Sequence, residues 1–187
     1  VNGNAVIFLS NGAQITVYGL GSSSLTDANF IFNQNESFIN AGDMNVSNGA
    51  IMPLAGTINN SGRILLESQG NETDLAIIKD GLTLQGGGSV QLSDNSANSI
   101  FAGSPDVTLI NIDNVISGAG VIGLGDLNLI NSGIINANGT QSLTLDTGVN
   151  VIKNSGTIES TGSGGLFIDS SLENTGSLVA QGSHIIV

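Results

Sequence analysis

The chain has 187 residues, enough for one domain with a substantial core. Its 40% hydrophobic content is too high for a disordered segment, while 27 Gly and 23 Asn against 2 Pro, no Cys and no Trp call for many turns between short elements. With 15 acidic residues against Arg63, Lys79 and Lys153, the net charge of −12 repels nucleic acid and anionic lipid, both of which need clustered basic side chains.

The aliphatic residues are mostly Ile, Leu and Val, which suit strands. No window keeps a 3.6-residue period for more than a turn, so no helix is expected, and no apolar run reaches the ~18 residues of a membrane span. The start at Val1, with no initiator Met and no basic leader, fits a mature product or a fragment of something longer.

In chain order, Val6-Ile7-Phe8-Leu9 opens as an apolar strand. Phe30, Phe32 and Phe38 read as core rings, with Tyr18 the one amphipathic ring. The sequons Asn35-Glu36-Ser37 and Asn71-Glu72-Thr73 are of a kind that an Asn- and Ser-rich chain contains by chance. A corner motif then begins at Asn40-Ala41-Gly42 and returns as Asn60-Ser61-Gly62, Asn131-Ser132-Gly133, Asn154-Ser155-Gly156 and Asn174-Thr175-Gly176. Steps of 20 separate Asn40 from Asn60 and Asn154 from Asn174, and a step of 23 separates Asn131 from Asn154. Asn114 starts a variant corner ahead of Asn131, and Leu109-Ile110-Asn111 returns, one of the shorter steps later, as Leu129-Ile130-Asn131.

Between corners the chain writes strands of three to five residues, as in Thr157-Ile158-Glu159 and Leu166-Phe167-Ile168-Asp169. Residues 65–110 carry no clean corner, although Gly86-Gly87-Gly88 sits between two short strand patterns. Loops are expected around 68–74 and 93–105. Asn48-Gly49 and Asn138-Gly139 would suit hairpins, but most turns here are of another kind, which disfavours a meander.

A period of about 20 residues with two or three short strands predicts an all-β fold: a single-stranded parallel β-helix, or solenoid, of about seven to nine coils over residues 1–187. At ~4.8 Å per coil the rod would be roughly 35 to 45 Å long. Stacking places each corner Asn above the next, where amides pass hydrogen bonds from coil to coil. The corner residues Gly42, Gly62, Gly133, Gly156 and Gly176 are expected to supply positive φ. Ile134 and Ile158 are expected to point into the core.

The run from Gly81-Leu82-Thr83-Leu84-Gln85-Gly86-Gly87-Gly88 through Asn111-Ile112-Asp113-Asn114-Val115-Ile116-Ser117-Gly118 to Leu143-Thr144-Leu145-Asp146-Thr147-Gly148 resembles the β-strand repeats of very large secreted bacterial surface proteins. The resemblance covers the chain well from Gly81 to the C-terminus, and the stretch up to Asn60 more loosely. Such segments are similar in style to filamentous-haemagglutinin and autotransporter passengers, which are right-handed β-helices. The resemblance implies an extracellular adhesin, a cell-surface stalk or a matrix fibre.

Enzymatic β-helices need Arg or Lys beside an enolate-like charge, or grouped carboxylates. Neither Arg63, Lys79 nor Lys153 lies within an acidic cluster, and Asp74, Asp80, Asp94 and Asp106 are spread through the irregular middle, so no catalytic residue is assigned. Asp126 and Asp146, 20 apart, are expected to stack as a solvated ladder. A metal site needs more than the lone His184, which reads as an exposed strand residue, so no cofactor is expected; weak calcium binding by the acidic surface stays open. Gly123-Leu124-Gly125-Asp126 only shadows a calcium nonapeptide, and 12 scattered Thr do not make an ice-binding ladder.

The expected function is a structural or adhesive rod, with the chain itself as partner through apolar, uncapped ends at Val6-Ile7-Phe8-Leu9 and His184-Ile185-Ile186-Val187, or with cell-surface and matrix polymers. No nucleic acid partner and no membrane insertion are expected. The alternative is a carbohydrate-binding or polysaccharide-degrading β-helix, for which the 4% aromatic content supplies few platforms.

Overall fold

The structure is a computed structural model that describes Ala5–Phe8, Gln14–Val17 and residues 38–187. The chain divides into two compact units, Val1–Glu36 and Ser37–Val187. In the first, Ala5–Phe8 pairs antiparallel with Gln14–Val17, Ile7 opposite Ile15. Leu9, Tyr18, Phe30, Phe32 and Asn35-Glu36-Ser37 lie outside the described residues.

The second unit is a parallel β-solenoid. Every described strand pair in it is parallel, and no helix occurs among the described residues. One rung consists of Asn128–Asn131, Ile134–Ala137 and Leu143–Leu145. The next consists of Ile152–Asn154, Thr157–Ser160 and Leu166–Ile168, and it stacks with Asn131 beside Asn154, Ile135 beside Ile158 and Leu145 beside Ile168. In the early rungs the last strand of one turn runs on into the first of the next, as Ile51–Asn60 and Thr73–Gln85. This continuity joins two faces into a 12-stranded sheet, opposite a 7-stranded one.

The strands complete about six turns, slightly fewer than the seven to nine expected. The repeat is not uniform: one rung carries the chain from Val115 to its stacked partner Ile134, whereas another needs the longer path from Leu82 to Leu109. Extra residues go into the loops 68–72, 93–97 and 103–107, so the middle rungs consume more chain. Six steps at ~4.8 Å give a stack of about 29 Å. The expected loops also shrink, because Thr73 starts a strand and Asn98–Ala102 is one, with Ile100 sealed in the core.

Inward aliphatic side chains stack in columns. Ile64, Val90, Ile116, Ile135 and Ile158 are successive partners on one face, and Leu75, Ile100, Ile122, Leu145 and Ile168 on another. All are buried, each contributing on the order of 1.5–3 kcal/mol relative to exposure. Two expected core positions need correction. Asn131, Gly133, Ile135 and Ala137 take the inward places of their strand and corner, so alternation turns Ile134 outward, at 36% exposure. Phe38 pairs in register with buried Ile58 but is itself 57% exposed, because it belongs to the first described rung.

Candidate functional site

The corner Asn side chains form a hydrogen-bonded file. Asn40 Nδ2 donates to Asn60 Oδ1 at 2.8 Å, Asn111 to Asn131 at 2.8 Å, Asn131 to Asn154 at 2.7 Å and Asn154 to Asn174 at 2.7 Å. Each of these bonds runs from the earlier rung to the later. The same Nδ2 atoms reach backbone carbonyls, such as Arg63 O from Asn40 and Gly133 O from Asn131. Asn40, Asn60, Asn111, Asn131 and Asn154 are buried, and Asn174, in the last rung, is exposed. Their polar atoms are therefore occupied within the stack, and the file holds rungs in register instead of presenting groups to a ligand.

One rung lacks an Asn. At Gly86-Gly87-Gly88 the chain passes with no side chain, and Asn60 Nδ2 reaches across to Asn114 Oδ1 at 2.7 Å. A Cβ on Gly88 would lie 2.5 Å from the carbonyl oxygens of both Asn60 and Gly62, which leaves room for glycine alone. Asn114 is then tied to the upper file, its N–H donating to Asn111 Oδ1 at 3.0 Å and its carbonyl accepting from Asn111 Nδ2 at 2.9 Å. The motif alone does not reveal this paired use of Asn111 and Asn114, although the place of Asn114 as a variant corner points to it.

The corner glycines act for a different reason from the one expected. Gly42, Gly62, Gly133, Gly156 and Gly176 are not among the glycines of positive φ. A Cβ on Gly62 would run into Gly42 O, one on Gly156 into Gly133 O, and one on Gly176 into Gly156 O. Close approach of stacked backbones, not turn geometry, demands Gly62, Gly133, Gly156 and Gly176, while nothing crowds Gly42. Positive φ is found elsewhere, as at Gly49, where Ala50 N–H closes a turn onto Ser47 O at 2.9 Å.

The acidic residues do not gather as a ladder. Asp146 follows Leu145, the partner of Ile122, and its N–H donates to Ile122 O at 2.9 Å, so the longer offset of this rung carries it away from Asp126. Asp94 accepts from Thr140 Oγ1 at 2.6 Å and from Gln141 N–H at 2.8 Å, and these bonds, the hydroxyl first, hold its carboxyl below the usual carboxylate range. Arg63 pairs with Asp43 through Nε at 2.8 Å and Nη2 at 2.6 Å, on the exposed surface. His184 is exposed just before Ile185–Ile186, edge-on to Phe167 at 5.7 Å. Among the described residues no three His, Asp or Glu side chains converge.

Asp74 is the exception to this scatter. It is only 8% exposed, lies beside Ser99 in the stacked register, and accepts the Ser99 hydroxyl at 2.5 Å. The sequence marks Asp74 only as an acid of the middle segment. Its pairing with Ser99 rests on an offset of 25 that no motif signals.

The chain matches no family model, no curated protein and no solved structure. The geometry itself defines the class: a parallel β-solenoid repeat protein.

Proposed function

We propose that this chain is a structural, non-catalytic rod of the bacterial cell exterior, part of a surface adhesin or a subunit of a self-assembling filament. The observation that carries the reading is the one-way file of buried Asn amides alongside sealed aliphatic columns: polar and apolar inward groups alike serve rung-to-rung cohesion. The resemblance to secreted surface repeats supplies the extracellular setting. In the last described rung Leu178 is exposed while its partner Ile158 is fully buried. A further rung of the same kind seals Leu178, and in the filament reading a second copy supplies it head to tail. In the adhesin reading the flanks meet cell-surface or matrix polymers.

Light scattering and electron microscopy of the full chain at rising concentration, with a polysaccharide-binding panel and a lyase and hydrolase screen, test this. The expected outcome is rods that lengthen with concentration and shorten with Leu178→Lys, or polymer binding without turnover. A strict monomer that binds no polymer overturns the reading. So does polysaccharide turnover that is lost in Asp74→Asn or Asp106→Asn, which would establish the degrading β-helix instead.

A further inference from the structure

A groove of ≈ 510 Å³ runs along the flank of the solenoid, with Asp74 and Ser99 lining it together with Glu72, Phe101, Val121 and Leu124. Asp74, Ser99 and Val121 are consecutive outward positions on three stacked rungs. The Ser99 hydroxyl holds Asp74 Oδ1, and no group bonds Oδ2. Every buried side-chain nitrogen or oxygen among the described residues has a partner, so the unbonded Oδ2 is not sealed from solvent, and Asp74 lines the groove. The ion pair among the described residues joins Arg63 to Asp43, and no cation stands beside Asp74. Asp74 thus presents one hydrogen-bonded and one open carboxylate oxygen, and the open one is suited to a cationic guest.

We propose that this groove binds a lysine side chain of a protein or peptide partner. The chemistry selects lysine over arginine. Ser99 takes one lone pair of Oδ1 and crowds the side-by-side oxygen pair that a two-pronged guanidinium prefers, whereas a compact ammonium is satisfied by Oδ2 alone. Phe101, Val121 and the 51%-exposed Leu124 give the four-carbon stem an apolar wall. Glu72, exposed at the rim, places a second negative charge near the ammonium, and the net charge of −12 draws basic segments toward the surface. The inference goes beyond the structural role and holds whether or not rods assemble.

The test is calorimetric titration and amide NMR of the full chain. The probes are a hexapeptide with one lysine between apolar residues, its acetyl-lysine and arginine counterparts, glucosamine oligomers and calcium chloride. The lysine peptide is expected to shift amides at 72–74, 96–101 and 121–124, and to bind about tenfold or more tightly than the acetylated peptide, more weakly in high salt. Asp74→Asn should remove that preference. Glu72→Gln, an exposed change that leaves the groove floor intact, should weaken binding several-fold. Equal binding of the acetylated peptide, tighter binding of arginine, glucosamine or calcium, unchanged affinity in Asp74→Asn, or no saturable binding at millimolar peptide overturns the proposal.

Discussion

An amide buried in a stack of rungs has to find both a donor and an acceptor, and the Asn file supplies them from rung to rung, with the Asn111–Asn114 pair bridging the rung that lacks an Asn. Each of its hydrogen bonds contributes a net ~0.5–1.5 kcal/mol, but stranding a buried partner costs more, about 1–3 kcal/mol. The file therefore acts mainly by penalising slipped registers. The corner glycines work beside it by letting backbones touch. Gly156→Ala drives a methyl into the Gly133 carbonyl and Ser132 backbone, which have little freedom to give, and it should destabilise the fold by about 1–3 kcal/mol. Gly42→Ala, with nothing within 4 Å of the added carbon, should cost far less. Denaturant midpoints of the two variants check the contrast. Equal losses would mean that the corner glycines act through turn conformation after all.

At the scale of the strand, alternation decides which of two isoleucines matters. Ile158 is sealed between Ile135 and Leu178, and Ile158→Asp should cost more than about 4 kcal/mol by placing an unpaired charge in the column. Ile134→Asp sits on the outer surface and should stay within about 1 kcal/mol of the parent by the same unfolding measurement. Loops obey a comparable logic. The 93–97 loop passes over the tight Gly118-Ala119-Gly120 turn of the rung between and ties itself to the rung beyond through Asp94, Thr140 and Gln141. Because these bonds lower the folded-state pKa of Asp94, the unfolded chain takes up a proton first as pH falls. The stabilisation is present above the ordinary carboxylate pKa and is lost as pH drops through the lowered value. Melting temperatures should show Asp94→Asn below the parent at neutral pH, with the gap closing in acid. A gap that persists at the lowest pH would assign the tie to something other than the charge.

For the whole solenoid, stability is a sum over neighbouring rungs, and no single rung buries enough to stand alone. About six turns of stacked columns supply that sum, and the amide file gives the stack a direction, since each Asn-to-Asn side-chain bond runs from an earlier rung to a later one. The large negative charge opposes sideways association of its sheets.

The solenoid class is legible in the sequence because it rests on chemistry local to each turn. A short aliphatic strand and a small-residue corner, in most rungs with an Asn, recur along the chain, and each buries its apolar face only by stacking on its neighbours. For the same reason Asn40, Asn60, Asn131, Asn154 and Asn174 can be named as one file from the sequence. The unequal offsets between rungs, set by how much chain each loop absorbs, were decided only by the folded stack. Those offsets separated Asp126 from Asp146 and brought Ser99 onto Asp74, while the side-chain-free Gly86-Gly87-Gly88 rung left Asn60 to meet Asn114. The role of Gly62, Gly133, Gly156 and Gly176 was likewise decided by the stack, because the atoms that crowd them include backbone of a neighbouring rung. Local sequence specifies what a rung is made of, whereas contact between rungs settles which of its atoms meet.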